Sequence, residues 1–500
     1  MARIAVIGAG MGAMAAAARL ATAGQSVTVY ERGETYGGGV RRLVRDGFGF
    51  DTGPGLLHLP AVYRDLFLKT GRRPLEECVG LTPLDPAVRH VFPDGTAVTL
   101  PASRGGVVEA LDSLAGPDAG RQWGELVNRG RDVWEAVRRP LLEEPLAADP
   151  RFLGREPYPP VEVRRGLLRR PRPVRARTLA EVCAGQLDDP RLRAMLAGEA
   201  LAYGFDPARA PASAAVLPYL AQTFGSWYVH GGLRALAEAL YGRCLERGVT
   251  FAFDTPVAGV ATEGGRVSGV ELADGRTAGA RYVVAGVPPA GLRALAGGGA
   301  EDGGAGDGAS APGRIVVCLA LRGARPRDAV HRTVVHGGAQ EAQARWAVRG
   351  EGGLPAEAPS VTVLRPDDPA QRPNDGHEAV TLSAVVPAGA DWDASAAGLF
   401  ADRMAEAAEA AVPGLRERTL WREVRTPADT ERETGARGVP GPALAGGGGA
   451  YLVRGNGTGV AGLYAVGGWA HPGGGLPHAG MSGALVSGLI VEGAGFRGSQ

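Results

Sequence analysis

Ile4-Ala5-Val6-Ile7-Gly8-Ala9-Gly10-Met11-Gly12-Ala13 is the stretch on which the reading of this 500-residue chain turns. Four apolar residues in a row suit a strand buried on both faces, as strands of parallel sheets are. A glycine turn follows, and Met14 to Ala23 is an alanine-rich helix former closed by Gly24. Ser26-Val27-Thr28-Val29-Tyr30 reads as a second strand that ends at Glu31. Strand, glycine turn, helix, strand and acid in this order form the dinucleotide fingerprint G-x-G-x-x-G/A, with Ala13 in the third position. Gly8 permits the tight turn and Gly10 lets backbone amides approach a pyrophosphate. Ala13 is small enough for the helix to pack closely on the sheet. Phosphates then sit at the helix N-terminus, where Met11 and Gly12 lie and where free N–H groups and the dipole attract them. Glu31, with Arg32 beside it, is placed to accept hydrogen bonds from ribose hydroxyls, which favours FAD or NAD over NADP.

The rest of the composition is that of an ordinary globular protein. Hydrophobic residues make up 45% and charged residues 21%, which excludes a wholly disordered chain. At this length two or more lobes are expected. A net charge of +1 gives no electrostatic case for a nucleic-acid partner. Cys78, Cys183, Cys244 and Cys318 lie far apart with no CxxC pair, so they read as buried reduced thiols. The N-terminal apolar run is too short for a signal peptide, and no stretch approaches the ~18 apolar residues that span a bilayer. The expected location is cytoplasmic, with peripheral membrane association left open. No histidine cluster at metal-ligand spacing, GxSxG elbow or P-loop occurs, so no metal site is expected.

After Glu31 come Thr35-Tyr36-Gly37-Gly38-Gly39 and Phe50-Asp51-Thr52-Gly53-Pro54. With these segments the chain resembles the bacterial phytoene desaturase family, carotenoid desaturases within the FAD-dependent amine-oxidase-like superfamily of NAD(P)/FAD-dependent oxidoreductases. Further similarity lies in Thr223-Phe224-Gly225-Ser226-Trp227-Tyr228-Val229-His230-Gly231-Gly232. It ends on Val466-Gly467-Gly468-Trp469-Ala470-His471-Pro472-Gly473-Gly474-Gly475-Leu476-Pro477, followed by a helix from Met481. The resemblance covers nearly the whole chain. It implies FAD as cofactor, with Gly38, Gly39, Val40, Gly53 and Pro54 near the phosphates and Val257 near the adenine. Gly467, Gly468, Gly475 and Leu476 would lie toward the flavin. Gly39 stands where the family has arginine, which leaves Arg41 or Arg42 as candidates to reach the diphosphate.

The implied fold class is α/β, a Rossmann-like, discontinuous FAD-binding domain with an inserted α+β substrate domain. Residues 1–75, 231–296 and 455–500 would form the FAD-binding domain, and 76–230 and 314–454 the substrate-binding domain. Residues 297–313, rich in Gly, Asp and Ala, read as a flexible loop. In the resembled family a hydride passes from an allylic carbon to flavin N5 and a neighbouring proton leaves, forming a C=C bond in a lipophilic polyene or isoprenoid. Candidates for contact with the reacting centre are His471, Trp227 and Tyr228. His471 reads equally as a loop histidine bonded to backbone, and only one of Trp227 and Tyr228, neighbours on a strand, should face the cavity. Phe224 reads as core. Glu199 and Tyr203, one helical turn apart, read as surface or structural helix residues rather than an acid/base pair. The arginine-rich stretch 151–177 would either rest on anionic lipid or form a solvated loop. Three rival readings stand beside desaturation. One is a flavin-dependent isomerase, saturase or reductive cyclase of a polyene or polyketide. Another is an amine oxidase, for which Lys69, the only lysine, is the sole candidate to hold a water. The third is a non-catalytic lipid or prenyl escort protein.

Overall fold

The apolar run at the N-terminus is the strand Arg3–Ile7, buried from Ile4 onward. It lies at the centre of five parallel strands, in the order Thr250–Ala252, Ser26–Tyr30, Arg3–Ile7, Tyr282–Ala285, Leu463–Ala465. A central strand covered on both faces has no solvent side, which is why it carries no polar alternation. The beginning, middle and end of the chain all contribute to this sheet. The computed structural model describes residues 1–163, 172–297, 311–355 and 357–499.

Helix Met11–Thr22 follows the glycine turn and is buried almost all round by small residues, Ala15 to Ala18 among them. It packs against the final helix, Leu476–Val491, where a Cβ on Gly483 would come within 2.7 Å of both the Gly12 carbonyl oxygen and the Ala16 amide nitrogen. The final helix begins one turn before Met481, the start expected from the sequence. Pro477 sits in its first turn, where a missing N–H is no loss.

A second, mixed sheet has seven strands, in the order Thr419–Arg425, Gly313–Arg322, His377–Val386, Val361–Leu364, Arg332–Val335, Val88–Val91, Ala97–Leu100. Its two faces differ, and the second also packs Cys318 and Ala320 against Phe48 and Phe50. Ile315, Val317, Leu319 and Leu321 alternate into a core with Val380, Leu382 and Ala384, covered by helices Gln340–Arg349 and Ala394–Ala408. The intervening Arg314 and Val316, with Ala379, Thr381 and Ser383, face a cavity. A third body of helices, Arg104–Ala115, Ala119–Arg138, Leu179–Gln186, Pro190–Ala202 and Val216–Phe224, has its own core around Trp123, Leu126 and Leu196. The architecture is α/β, as expected.

Of the arginine-rich stretch, residues 164–171 lie outside the described residues, as do 298–310 of the expected Gly-rich loop. Cys183, Cys244 and Cys318 are free and buried, and Cys78 is free and half-buried. Among the described residues no helix is long and apolar enough to cross a membrane, and no cluster of side chains could hold a metal ion.

The second sheet holds a charge network with no exposed acid. Glu378, fully buried, accepts from Arg365 Nε at 2.7 Å, from a terminal Arg365 nitrogen at 3.1 Å and from Arg418 at 2.8 Å. Removing the carboxylate leaves a buried guanidinium uncompensated, a loss on the order of 3–5 kcal/mol. Glu378→Ala should therefore lower the urea midpoint sharply, while Arg365→Met together with Glu378→Leu should recover much of it.

Candidate functional site

A cavity of about 890 Å³ runs between the parallel sheet, the cavity face of the second sheet and the helical body. That is the upper part of the range for cofactor and ligand sites. Apart from Arg41 and Arg42, the residues to which the sequence assigned a cofactor contact lie on its wall: Gly8, Gly10, Met11, Gly12, Ala13, Glu31, Arg32, Gly38, Gly39, Val40, Gly53, Pro54, Val257, Gly467, Gly468, Gly475 and Leu476.

Local geometry explains the convergence. Gly8 turns at φ +88° and donates to the Tyr30 carbonyl at 2.8 Å, which ties the first turn to the end of the second strand. The Gly37 amide donates to Ala9 O at 2.8 Å. A Cβ on Gly12 would lie 2.8 Å from Gly467 Cα and 2.9 Å from the Ala479 carbonyl oxygen, so backbone from both ends of the chain meets there. Helices Met11–Thr22 and Leu476–Val491 have Gly10 and Gly475 as N-caps, with no side-chain cap on either. Their first-turn amides are thus left for a ligand's phosphate and carbonyl oxygens. Buried Glu31 accepts from the amides of Ala9 at 2.7 Å and Gly33 at 2.9 Å, which fixes its carboxylate at the mouth of the turn. Close backbone, uncapped helix starts and a fixed acid fit an FAD adenosine diphosphate.

Neither Arg41 nor Arg42 lines the cavity. Arg41 Nε donates to Gly38 O at 3.0 Å, and Arg42 begins a hairpin strand and donates to Ala370 O at 2.6 Å. The cation missing at Gly39 is therefore replaced by neither. Arg32 reaches across to Arg432 O at 3.1 Å.

Among the three candidates for the reacting centre, Tyr228 alone is on the wall. Its hydroxyl donates to Asp368 at 2.8 Å. Trp227 turns to the other side of the strand, where its indole N–H donates to Phe224 O at 2.9 Å and Arg64 stacks on it at 5.0 Å. His471 is fully buried behind the wall, with Nε2 bonded to Glu144 O at 3.0 Å and its amide donating to Arg454 O at 2.8 Å. The backbone-bonded reading is the one that describes it. His478, in the first turn of the final helix, occupies the wall in its place. Phe224 packs against Trp134 with ring centroids 6.0 Å apart.

Of the expectation that Glu199 and Tyr203 are surface or structural helix residues, the surface half does not hold, since both line the cavity. Their helix packs with one side toward the second sheet, and Glu199 accepts from Arg332 at 3.2 Å. Arg314, His58 and His331 also face the cavity and were not singled out from the sequence. The polar Arg314 at the head of an apolar strand was the available signal. Lys69 pairs with Asp65 at 3.2 Å, is about half exposed and lies off the wall, so no lysine serves the cavity.

Burial sets the titration of the site. Asp51, on the wall, is pushed up to about 6 by desolvation despite accepting from the Leu233 amide at 2.9 Å. His58, His471 and His478 are pushed down to about 4 by the same cause.

The model of the family described as flavin containing amine oxidoreductase matches residues 14–300. The chain is 33% identical over 296 residues to hydroxyneurosporene desaturase of Cereibacter sphaeroides, covering 58% of this chain and 57% of that protein. It is 33% identical over 273 residues to the zeta-carotene-forming phytoene desaturase of Myxococcus xanthus, covering 55% and 51%. The chain thus spans only a little over half the length of the curated relatives it matches. Solved structures extend the likeness of fold over nearly all of it. An oxidoreductase from Methanosarcina mazei matches with TM-score 0.65 at 15% identity, covering 97% of this chain and 99% of that one. Wild-type putrescine oxidase bound to putrescine matches with TM-score 0.63 at 15% identity, covering 98% and 99%.

Two measurements test the site. Gly12→Ala drives a methyl into backbone on two sides, so the purified variant should retain little or no flavin while keeping its far-UV circular dichroism. For His471, the folded pKa of about 4 lies below the unfolded value near 6.5, so the unfolded chain binds more protons in between. Its contribution is complete above pH 6.5 and falls by about 3 kcal/mol as pH drops to 4. His471→Gln should make the fall in stability over that window shallower, while His58, His331, His336 and His478, lowered to about 4 in the same way, keep their share of it.

Proposed function

Because the chain belongs to the flavin-containing amine oxidoreductase family, we propose that it is an FAD-dependent dehydrogenase that forms C=C bonds in a lipophilic polyene or isoprenoid. The carrying observation is that one cavity joins the glycine elements to a long apolar wall, Val133, Trp134, Val137, Leu141, Leu142 and Leu217 among its residues. The names of the two desaturase relatives support the same substrate class.

When bound, FAD supplies N5 as the acceptor of a hydride from a substrate carbon. The chain's own residues hold and shield the substrate. Trp134 and the leucines give an extended apolar molecule a surface to bury and keep water from the reacting carbon. Tyr228 is fixed by Asp368, so its ring presents one rigid face to the cavity. His478 stays neutral at ordinary pH because protonating it in the buried wall is costly. Its neutral ring is thus a poor base and serves the wall as a hydrogen-bonding group rather than as the acceptor of the departing proton.

A substrate of this kind dissolves in membranes, and the reading includes a cytoplasmic protein in peripheral contact with lipid. Phe152 and Val174, 49% and 44% exposed and lying within the arginine-rich stretch, support that contact.

Purified protein should be yellow and release FAD on denaturation. Phytoene or a related polyene added without oxygen should bleach the oxidised-flavin absorption within minutes. A colourless protein that also refuses added FAD would sink the proposal, and a flavoprotein indifferent to every polyene would sink the substrate class.

A further inference from the structure

Polar side chains gather at one place on the otherwise apolar wall. Glu199 and Tyr203 come from the end of helix Pro190–Ala202, Arg314 from strand Gly313–Arg322 and Arg332 from strand Arg332–Val335. The pair Arg332–Glu199 is closed on itself at 3.2 Å, with side chains only 12% and 16% exposed. Arg314 has no such partner. It donates to the Ala202 carbonyl, and no carboxylate among the described residues lies within ion-pair distance of it. Tyr203, beside it, has no hydrogen-bond partner for its hydroxyl among the described residues. Burial keeps that phenol protonated and works against the charge on Arg314.

One ion pair, one arginine without a carboxylate and a phenol therefore leave one net positive charge and two donors facing a low-dielectric cavity. Such donors are costly to bury unless an acceptor meets them. A hydrocarbon has none to offer. We propose that the substrate is an apolar chain bearing a carbonyl or carboxylate oxygen, and that Arg314 and Tyr203 donate to that oxygen. The Glu199–Arg332 pair walls the subsite and holds the end of the helix that carries Tyr203. This subsite rests on the reading of the cavity as the site of a lipophilic substrate, and it narrows that class to oxygenated molecules. It selects by hydrogen bonding, so an analogue lacking the oxygen is rejected more strongly than one lacking a methylene.

Four ligands with a common polyene chain separate the possibilities: axerophtene (the hydrocarbon), retinol, retinal and retinoic acid. Each is titrated into the FAD-loaded protein, with quenching of tryptophan fluorescence as the readout, since Trp134 lines the cavity. Retinal or retinoic acid should bind at least about tenfold tighter than axerophtene, as expected for hydrogen bonds with a charged partner. The stronger of the two identifies the end group. Tyr203→Phe and Arg314→Met should each remove most of that preference while leaving axerophtene binding and flavin retention unchanged. Should Arg314→Met fail to fold, Tyr203→Phe, which deletes one oxygen, carries the test. Equal affinities across the four, or a preference untouched in the variants, would overturn the polar subsite and leave the apolar cavity standing. Flavin-loaded protein that none of the four quenches would overturn both.

Discussion

The close approach of helices Met11–Thr22 and Leu476–Val491 is the constraint on which the site depends. Backbone meets backbone at Gly12, with Gly467 and Ala479 on the other side, so the starts of both helices open onto one space. Hydrogen bonds then hold the surrounding turns to that junction. Asp51 accepts from the amide of Leu233, and Asp368 accepts from the amide of Gly231 at 2.6 Å as well as from Tyr228. The Gly231-Gly232 turn is thus pinned from two directions by carboxylates that lie far from it in sequence. Each carboxylate accepts a backbone donor that would otherwise be orphaned, which is how an irregular turn persists in a buried place.

The second sheet solves a different problem. Its strands face a large core on one side and, on the other, the cavity beside a smaller cluster of Val316, Cys318 and Ala320 with Phe48 and Phe50, and the period-2 alternation separates the two sets of residues. Ile315 and Val317 bear on packing, whereas Arg314 and Val316 bear on what enters the cavity. Division of this kind lets a binding surface vary without disturbing the core beneath it.

The cofactor side was legible in the sequence because its signals are local. Strand, turn and helix at residues 4–23 are contiguous, and each glycine there has a backbone reason visible in the string. The same holds for the glycine loop before the final helix. The cavity's far wall was not legible, and Glu199 shows why. Its helix is apolar on more than one side, so no periodicity says which side meets the cavity; only the register against strand Arg332–Val335 decides it. Arg41 and Arg42 failed as diphosphate ligands for a similar reason, since the hairpin that begins at Arg42 turns the chain away. His471 sits in the strongest motif of the C-terminal region, yet its ring points behind the loop, where Nε2 bonds to the Glu144 carbonyl while the backbone amide donates to the Arg454 carbonyl. Motif spacing locates a loop but leaves the direction of each side chain to tertiary contacts.

The parallel sheet draws its outer strand, Leu463–Ala465, from close to the end of the 500-residue chain. On a ribosome adding about 5–20 residues per second, some 25–100 s separate the emergence of the alanine helix from that of its partner. Throughout that interval the helix face meant for Gly483 and its neighbours is bare, and half of the FAD cradle does not yet exist. A complete cradle for the cofactor must therefore wait until the last helix has emerged.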